Sequence, residues 1–293
     1  MATFAQWVEA ARPRTLPAAI SPVAAGTGAA LWDVGFDAAV VIPRALLALG
    51  VALCLQVGVN YANDYSDGVR GTDDDRVGPF RLTGSRSAAP GTVKRAAFLA
   101  LGLGGLLGLV LIAIAGIWWT VIVGAAAIAA AWFYTGGKRP YGYLGLGELF
   151  VFIFFGLVAV GGTAYAITLR VSWVAILAAC AIGLLAVVIM LTNNLRDLPT
   201  DAVAGKHTLA VRLGDRGTRM LLTACLAVPF VLMVPVMVVH PPVLVVLLAL
   251  VLAVGPLRTV LAGTQGRALI PVLARAGRLE LVFSLLLLVG LAV

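Results

Sequence analysis

Long apolar runs, separated by short polar segments, dominate the hydropathy pattern of this chain. About nine of these runs approach the ~20 residues that an α-helix needs to cross a bilayer. They lie at roughly 17–32, 40–61, 96–116, 117–135, 145–169, 171–192, 219–239, 242–262 and 279–293. The pattern predicts an all-α fold, a multi-pass membrane bundle of about nine transmembrane helices, and one membrane domain over residues 1–293 is the simplest division.

The composition of the chain agrees with a membrane protein. Of the 293 residues, 61% are hydrophobic and 12% are charged. This leaves too little polar surface for a soluble globule of the same length. Cys54, Cys180 and Cys225 lie inside expected spans, without paired spacing or an accompanying histidine. They therefore indicate apolar filler rather than disulfides or a zinc site.

The basic residues predict the orientation of the bundle. With nine spans the loops alternate sides, and cytoplasmic loops hold most Lys and Arg residues. Of the 21 Lys and Arg residues, only Arg44 and Arg170 fall outside the segments assigned to the cytoplasm. We therefore expect the N-terminus inside and the C-terminus outside. The net charge of +8 is mostly this topology signal, with anionic membrane lipid or a polyanionic substrate as secondary contributors, and no nucleic acid partner is expected.

Two acidic clusters each follow an apolar run. They are N-Y-A-N-D-Y-S-D at 60–67 and N-N-L-R-D-L-P-T-D at 193–201. The expected topology puts both on the cytoplasmic face, at the start of the polar loops 62–95 and 194–218. Loops of this length commonly cover a functional site, so we expect both to act as cytoplasmic cap loops.

Helical spacing would bring the polar groups of each cluster onto one face. If each span continues as a helix, positions i, i+4 and i+7 or i+8 lie above one another. The residues that share these faces are Asn60, Asp64 and Asp67 in the first cluster, and Asn193, Asp197 and Asp201 in the second. Pro199 lacks an N–H and disfavours a helical residue before it, so we expect a kink or break there.

The chemistry of these clusters points to a metal and a phosphorylated ligand. Carboxylates at a membrane face are costly to desolvate, so two clusters on one side require a compensating charge. Magnesium prefers a few carboxylates together with water and phosphate oxygens. The clusters therefore predict a site for Mg²⁺ and a diphosphate, and hence an enzyme. For either cluster alone, solvated loop aspartates and helix-capping asparagines are the alternative.

Basic residues close to the clusters are candidates to neutralise the phosphates, although the cytoplasmic bias alone explains each of them. The diphosphate-binding candidates are Arg70, Arg81, Lys138, Arg139 and Lys206. Lys138, Arg139 and Lys206 are favoured because they lie near expected helix ends. Arg12 and Arg14 are candidates for binding an anionic acceptor. Glu148 is a candidate polar pocket residue, with snorkelling to the interface as the alternative.

These motifs resemble the UbiA superfamily of intramembrane aromatic prenyltransferases, which carry an Asn/Asp-rich motif after the second span and D-x-x-x-D after the sixth. Four regions look like its menaquinone branch, the 1,4-dihydroxy-2-naphthoate polyprenyltransferases. They are A-R-P-R-T-L-P (11–17), N-D-Y-S-D-G-V-R-G-T-D (63–73), Y-T-G-G with G-L-G-E-L-F (134–137, 145–150), and N-N-L-R-D-L-P-T-D with G-K-H-T-L-A-V-R-L-G (193–214). The resemblance covers nearly the whole chain.

The resemblance implies one integral membrane prenyltransferase domain in the cytoplasmic membrane, with a central cavity and a cytoplasmic active site. It implies Mg²⁺-dependent transfer of a polyprenyl chain from polyprenyl diphosphate to 1,4-dihydroxy-2-naphthoate, with loss of the ring carboxylate, giving demethylmenaquinone. By motif position, the metal-binding residues would be Asn60, Asn63, Asp64, Asp67, Asp197 and Asp201, the four aspartates being catalytic. Acceptor or pocket residues would be Arg14, Asp73, Tyr134, Glu148, Asn193 and Asn194.

One position departs from the family pattern. The wider form N-x-x-x-D-x-x-x-D would place its last aspartate at position 68, which is Gly68 here. Asp67 or Asp73 must then supply that carboxylate.

Two rival functions remain open from the sequence. Asp64, Asp67 and Gly68 partly match the D-x-x-D-G opening of CDP-alcohol phosphatidyltransferases, but the second acidic cluster lies far along the chain. A cation-coupled transporter would also carry intramembrane acids, although it would hold them near the bilayer midplane. Prenyl chain length and oligomeric state are left open.

Overall fold

The computed structural model describes residues 2–71, 80–138 and 140–293. Helices provide the regular structure throughout these ranges. Two candidate site residues, Asp73 and Arg139, lie outside the described residues.

The first half of the chain forms a short surface helix and four longer ones. The helices are α1 (Phe4–Ala10), α2 (Pro17–Val34), α3 (Ala38–Arg70), α4 (Pro90–Ala115) and α5 (Val121–Phe133). Thr3 begins α1 with a reciprocal cap, because its hydroxyl accepts from the N–H of Gln6 at 3.3 Å and its own N–H donates to the Gln6 side chain at 2.8 Å. Prolines at the first turns of α2 and α4 suit positions where no N–H is needed.

The second half contributes the remaining α-helices, of which Leu250–Leu261 directly follows a 3₁₀ helix, Pro241–Ala249. They are α6 (Gly147–Val151), which continues through a π-helical stretch (Phe152–Val158) into α7 (Ala159–Thr168), then α8 (Trp173–Val203), α9 (Leu209–Val239), α10 (Leu250–Leu261) and α11 (Ile270–Ala292). Gly214 interrupts the start of α9 with a φ of 69°. That left-handed conformation is open to glycine at little cost.

Six helical stretches of the described chain are long and apolar enough to cross a membrane. They are Ala38–Arg70, Pro90–Ala115, Gly147–Thr168, Trp173–Val203, Leu209–Val239 and Pro241–Leu261. Trp118–Phe133 is apolar but shorter, and the first and last expected runs coincide with α2 and α11. The protein is therefore an all-helical, multi-pass membrane protein.

The acidic clusters lie on helices that continue past the apolar runs, which is the condition under which the sequence placed their polar groups on one face. The starts of the expected loops 62–95 and 194–218 are therefore helical. α3 continues to Arg70, and α8 continues to Val203. The expected break at Pro199 is absent from the described α8, which runs through that residue. Pro199 itself is exposed, but Asp197 and Asp201 on either side of it are buried. Tertiary contacts of these neighbours offset the cost of about 3 kcal/mol that an interior proline imposes.

Small residues let α8 approach its neighbours closely. A Cβ added at Gly156 would lie 2.6 Å from the carbonyl oxygen of Ala179, and one added at Gly183 would lie 2.9 Å from Phe152 Cδ2. The π-helical stretch and α8 therefore meet backbone to backbone, as small residues allow in membrane helices.

The two basic residues outside the cytoplasmic set bind helix ends far from the acidic clusters. Arg44, near the start of α3, donates to the carbonyl oxygens of Ala166 at 2.9 Å and Ile167 at 3.1 Å. Arg170 donates to the carbonyl of Asp33 at 2.6 Å. Both satisfy carbonyl groups that helix C-termini leave unpaired, which accounts for their exceptional positions.

Candidate active site

A cavity of about 2260 Å³ connects the two acidic clusters with the apolar interior of the bundle. Side chains from α2 to α8 line most of it. Its polar lining from the two clusters comprises Asn60, Asn63, Asp67, Asn193, Asn194, Arg196 and Asp201. Among the described residues, neither Asp64 nor Asp197 belongs to that lining. The clusters thus share one chamber, and the carboxylates that face it are Asp67 and Asp201.

Asp67 is bound by a base and a phenol at the cavity wall. Its Oδ1 accepts a hydrogen bond from the hydroxyl of Tyr143 at 2.7 Å, and its Oδ2 lies 3.3 Å from Nη2 of Arg81. Asp67 is 3% exposed and Arg81 9%, so this ion pair is largely desolvated and depends on such hydrogen bonds. The sequence identified Asp67 and Arg81 but gave no role to Tyr143.

Asp64 lies on the same helix but binds backbone. Its two carboxylate oxygens accept hydrogen bonds from the N–H groups of Leu82, at 2.6 Å, and Thr83, at 2.9 Å. A Cβ added at Gly68 would lie 2.5 Å from Thr83 Cγ2. The segment held by Asp64 therefore covers position 68, which leaves Asp67 as the described carboxylate of this region that faces the cavity.

Asp201, at the end of α8, faces the same chamber. Its Oδ1 lies 3.7 Å from Nζ of Lys206, and that ammonium stands 4.6 Å from the centre of the Tyr143 ring. The N–H of Lys206 donates to the carbonyl of Asp201 at 2.9 Å, and the N–H of His207 donates to that of Tyr143 at 3.0 Å. Tyr143 therefore links the two acids. Its hydroxyl binds Asp67 directly, and its ring contacts Lys206, the basic partner of Asp201.

Asp197 is paired with the residue before it. The guanidinium of Arg196 donates to both carboxylate oxygens, at 2.7 and 2.6 Å. Arg196 is 6% exposed and lines the cavity. It stands inside the second acidic motif, N-N-L-R-D, and this position next to the acids was the signal that the sequence interpretation passed over.

The asparagines of the first cluster bind neighbouring segments. Nδ2 of Asn60 donates to the carbonyl of Ala11 at 2.9 Å and to the hydroxyl of Thr15 at 3.1 Å. This attaches the A-R-P-R-T-L-P segment to α3. The Asn63 side-chain oxygen accepts from the hydroxyl of Thr135 at 2.7 Å, which attaches the Y-T-G-G turn to the same helix.

Several candidates lie apart from the acids. Lys138 is exposed, and among described residues it is not part of the cavity lining. Arg70 is also exposed; its guanidinium donates to the carbonyl oxygens of Thr135 and Gly137, so it fixes that turn. Arg14 is exposed but lines the cavity beyond Thr15. The sequence favours Lys138 because it lies near an expected helix end, and a hydropathy pattern locates helix ends only to within a few residues.

The apolar part of the cavity begins beside a group of aromatic side chains. Tyr134 lines the cavity and donates from its hydroxyl to Met190 Sδ at 3.4 Å. The ring of Tyr141 stacks on Phe150 with centroids 4.1 Å apart, and its hydroxyl donates to the carbonyl of Ala130 at 2.9 Å. Burial raises the pKa of Tyr141, so this phenol remains a neutral hydrogen-bond donor at physiological pH.

Small residues line the deeper groove between α4, α5 and α7. Glycines on its wall include Gly102, Gly105, Gly108, Gly124 and Gly161. Trp119 and Tyr165 close on each other at its far end, where Trp119 Nε1 donates to the hydroxyl of Tyr165 at 3.0 Å. The groove therefore offers a long apolar path that starts at the acids.

The oxygen donors at the cavity mouth suit a hard cation. Within the described ranges, no group of three or more His, Cys, Asp or Glu side chains lies together in a metal-binding arrangement. Asp67 and Asp201 nevertheless supply two carboxylates on the wall of one chamber, with amide oxygens nearby. Magnesium commonly takes only one or two carboxylates and completes its coordination with phosphate oxygens and water. The residues present fit that type of site.

The fold and the cavity together define a membrane protein whose interior joins a group of acids and bases to a long apolar groove, a shape suited to an amphipathic anion. A charged headgroup fits among the acids and bases, and a long apolar tail fits the groove. The chain belongs to the UbiA prenyltransferase family, whose model matches residues 19–270.

Two relatives illustrate this membership. The chain is 57% identical to a 1,4-dihydroxy-2-naphthoate octaprenyltransferase of Mycobacterium tuberculosis (strain ATCC 25618 / H37Rv) over 285 residues, which is 97% of this chain and 96% of that protein. It is 42% identical over 219 residues to the protein of the same name from Escherichia coli (strain K12), covering 73% of this chain and 70% of that protein.

Solved structures share the fold. A UbiA homologue from Aeropyrum pernix K1 superposes with a TM-score of 0.69 and 16% identity, over 93% of this chain and 96% of that one. One from Archaeoglobus fulgidus, bound to DMAPP and Mg²⁺, superposes with a TM-score of 0.62 and 17% identity, over 98% of this chain and 99% of that one.

Proposed function

We propose that this protein transfers a polyprenyl chain from polyprenyl diphosphate to 1,4-dihydroxy-2-naphthoate, in the pathway to menaquinone. The observation that carries the proposal is that both acidic clusters line one shared cavity, which continues into a long apolar groove. The naphthoate octaprenyltransferase from M. tuberculosis, 57% identical over 97% of this chain, supports the acceptor. Family membership favours this activity over a phosphatidyltransferase or a transporter.

The proposed architecture is one membrane domain, residues 1–293, with nine crossings. Each of the nine expected apolar runs coincides with helix in the described chain. The asymmetry of Lys and Arg favours a cytoplasmic N-terminus, a cytoplasmic active site in the cytoplasmic membrane and an external C-terminus. The surrounding lipid is then the natural source of the polyprenyl substrate.

Asp67 and Asp201 are proposed as the carboxylates that hold Mg²⁺, with side-chain oxygens of Asn60 and Asn63 as further ligands. Bound there, Mg²⁺ would neutralise negative charge on the diphosphate. The UbiA homologue from A. fulgidus that binds DMAPP and Mg²⁺ supports this dependence. Asp64 and Asp197 are proposed to act indirectly. Asp64 holds the backbone of Leu82 and Thr83 in place, and Asp197 holds Arg196.

Arg81, Arg196 and Lys206 are proposed to bind the diphosphate oxygens. Each is nearly buried, lines the cavity and contacts an aspartate. Arriving phosphate oxygens give these bases new acceptors while the acids gain a cation, so charge stays balanced in a poorly solvated place. Lys138 and Arg70 are proposed to attract the diphosphate only at the outer edge of the site. Arg139, for the diphosphate, and Asp73, for the pocket, remain candidates from the sequence alone.

The proposed chemistry breaks the allylic C–O bond, and its electron pair leaves with the diphosphate. Arg81, Arg196 and Lys206 stabilise the growing negative charge on that leaving group. Apolar and aromatic walls, including Phe150 and Tyr134, exclude water from the allylic carbocation. A ring carbon of the dihydroxynaphthoate forms the new C–C bond, and loss of its carboxylate as CO₂ restores aromaticity. The product is the prenylated quinol, which oxidises to demethylmenaquinone.

Membranes containing the protein test this function directly. Radiolabelled polyprenyl diphosphate, 1,4-dihydroxy-2-naphthoate and Mg²⁺ are supplied, and lipid-extractable prenylated product and CO₂ are measured. We expect both products in equal amounts, and none when Mg²⁺ is chelated. Formation of a phospholipid, or no labelled quinol, would rule the proposal out.

A further inference from the structure

A hydrogen bond between Glu148 and Asn194 decides which end of the asparagine amide faces the cavity. Glu148, at the start of α6, is 5% exposed. Its Oε1 accepts a hydrogen bond from Nδ2 of Asn194 at 2.8 Å. Asn194 lines the cavity, whereas Glu148 is not among the described lining residues. Any influence of Glu148 on a ligand in the cavity therefore passes through Asn194.

The orientation of Asn194 follows from the chemistry of its partner. An asparagine amide has a donor end and an acceptor end, whereas a carboxylate only accepts. Glu148 therefore fixes the nitrogen of Asn194 toward α6 and turns the carbonyl oxygen, Oδ1, away from it. Within the described chain, the side chain of Asn194 makes its hydrogen bond through Nδ2 alone, and Oδ1 is not among the buried side-chain atoms that lack a partner. It is thus accessible, and the accessible space beside Asn194 is the cavity.

Asn194 lies deeper along α8 than the headgroup acids. Seven residues separate it from Asp201, so the two share nearly one helix face but stand about 10 Å apart along the axis. An ion held by Asp201 at the usual distance of ~2.1 Å is out of reach of Asn194. One turn further from Asp201, Met190 accepts the hydroxyl of Tyr134 at 3.4 Å. Oδ1 therefore faces the region between headgroup and groove, where the aromatic ring must meet the allylic carbon.

We propose that Glu148 is a positioning residue that presents Oδ1 of Asn194 to a hydroxyl group of the aromatic acceptor. This inference rests on the proposed function, which supplies a dihydroxylated ring. A hydroxyl that donates to Oδ1 fixes the ring beside the allylic carbon and raises the electron density of the ring. A ring without that hydroxyl leaves the carbonyl unpaired, so the pair also selects hydroxylated acceptors.

Glu148→Gln is the first test, because glutamine offers both a donor and an acceptor and no longer dictates the amide orientation. We expect the KM for dihydroxynaphthoate to rise about tenfold, the effect of one lost hydrogen bond. The KM for polyprenyl diphosphate stays unchanged. Asn194→Ala gives the same pattern. Glu280→Gln, which removes another buried acid away from the described cavity lining, leaves both KM values unchanged.

An exchange of the two side chains separates positioning from general structure. Asn194→Asp alone opposes two carboxylates and weakens acceptor binding strongly. In the double variant Glu148→Gln with Asn194→Asp, the amide nitrogen at 148 donates to the carboxylate at 194, whose second oxygen faces the cavity. We expect this exchange to restore the acceptor KM to within about threefold of the wild type, because donor and acceptor roles are preserved. A purely structural role of Glu148 predicts no such rescue.

Equilibrium binding of 1,4-dihydroxy-2-naphthoate to the purified protein gives a second readout that needs no turnover. Acceptor affinity unchanged in both Glu148→Gln and Asn194→Ala would overturn the assignment, as would an exchange variant no better than Asn194→Asp. Failure of the proposed function has a different signature, because the wild-type protein itself would then form no prenylated product.

Discussion

The backbone N–H of Thr83 donates to the carboxylate of Asp64 at 2.9 Å, and this bond joins the end of α3 to the segment that follows it. Leu82 donates to the other oxygen at 2.6 Å. Gly68, one turn beyond Asp64, has no room for a side chain, because a Cβ there would lie 2.5 Å from Thr83 Cγ2. The glycine that departs from the family pattern is thus explained by the segment that covers it.

Gly68→Ala should therefore disrupt the site although alanine favours helices. Helix propensity alone predicts a gain of about 1 kcal/mol, whereas the clash shifts the segment that carries Arg81 and costs about 1–3 kcal/mol. We expect a lower melting temperature and a loss of transferase activity of about tenfold or more.

Gly91→Ala is the matched control for this substitution, because Gly91 also lies in a helix but has open space around its Cα. It should retain wild-type activity and stability. Wild-type behaviour of Gly68→Ala would show that the segment at Thr83 adapts freely.

Much of the fold was predictable because apolar runs long enough to cross a bilayer have few alternatives. The continuation of α3 and α8 beyond those runs was harder to predict, since polar residues such as Asp64 and Pro199 are typical of loops. Tertiary contacts keep these ends helical: Asp64 binds two backbone N–H groups, and Asp197 and Asp201 are buried at the end of α8.

The candidate site was only partly predictable for a related reason. Motif spacing identifies which acids lie near each other, but not which carboxylate faces the cavity. Asp67 and Asp201 line it, whereas Asp64 and Asp197 bind protein groups outside the described lining. Tyr143 comes from a short 3₁₀ helix, Tyr141–Leu144, far along the chain, and no local pattern links a tyrosine there to Asp67.

Asp67→Asn and Asp64→Asn should differ in their response to magnesium. Asp67 faces the cavity, so its loss weakens metal binding, and we expect kcat to fall about 100-fold with a higher Mg²⁺ concentration for half-maximal activity. Asp64→Asn loses one of two backbone acceptors, which costs about 1–3 kcal/mol of stability, and its Mg²⁺ requirement stays near that of the wild type. Magnesium titrations of both variants check this difference. The reverse order of Mg²⁺ requirements would place Asp64, not Asp67, at the metal.

Tyr143 should contribute to catalysis through two separable contacts. Tyr143→Phe removes the hydrogen bond to Asp67 but keeps the ring near Lys206, so we expect a loss of about three- to tenfold in kcat. Tyr143→Leu also removes the cation–π contacts of the ring with Lys206 and Arg70 and should raise the KM for polyprenyl diphosphate.

Tyr61→Phe is the control for the hydroxyl, since Tyr61 donates to the carbonyl of Trp7 at 3.0 Å, away from the described cavity lining. It should leave both kinetic constants unchanged. Equal effects of the Phe and Leu variants at position 143 would show that the ring contacts to Lys206 and Arg70 have no role.

Glu280 is the clearest case of a side chain that costs stability. It lies on α11 with 0% exposure, and neither carboxylate oxygen has a hydrogen-bond partner within the described chain. A buried polar group left without a hydrogen-bond partner costs about 1–3 kcal/mol, and an apolar side chain of similar size removes that cost. Glu280→Met should therefore raise the melting temperature of the purified protein, and Glu280→Gln, which keeps two polar atoms buried, should raise it less. Thermal unfolding in detergent measures both, and a Met variant less stable than the Gln variant would mean that the carboxyl group has a stabilising partner.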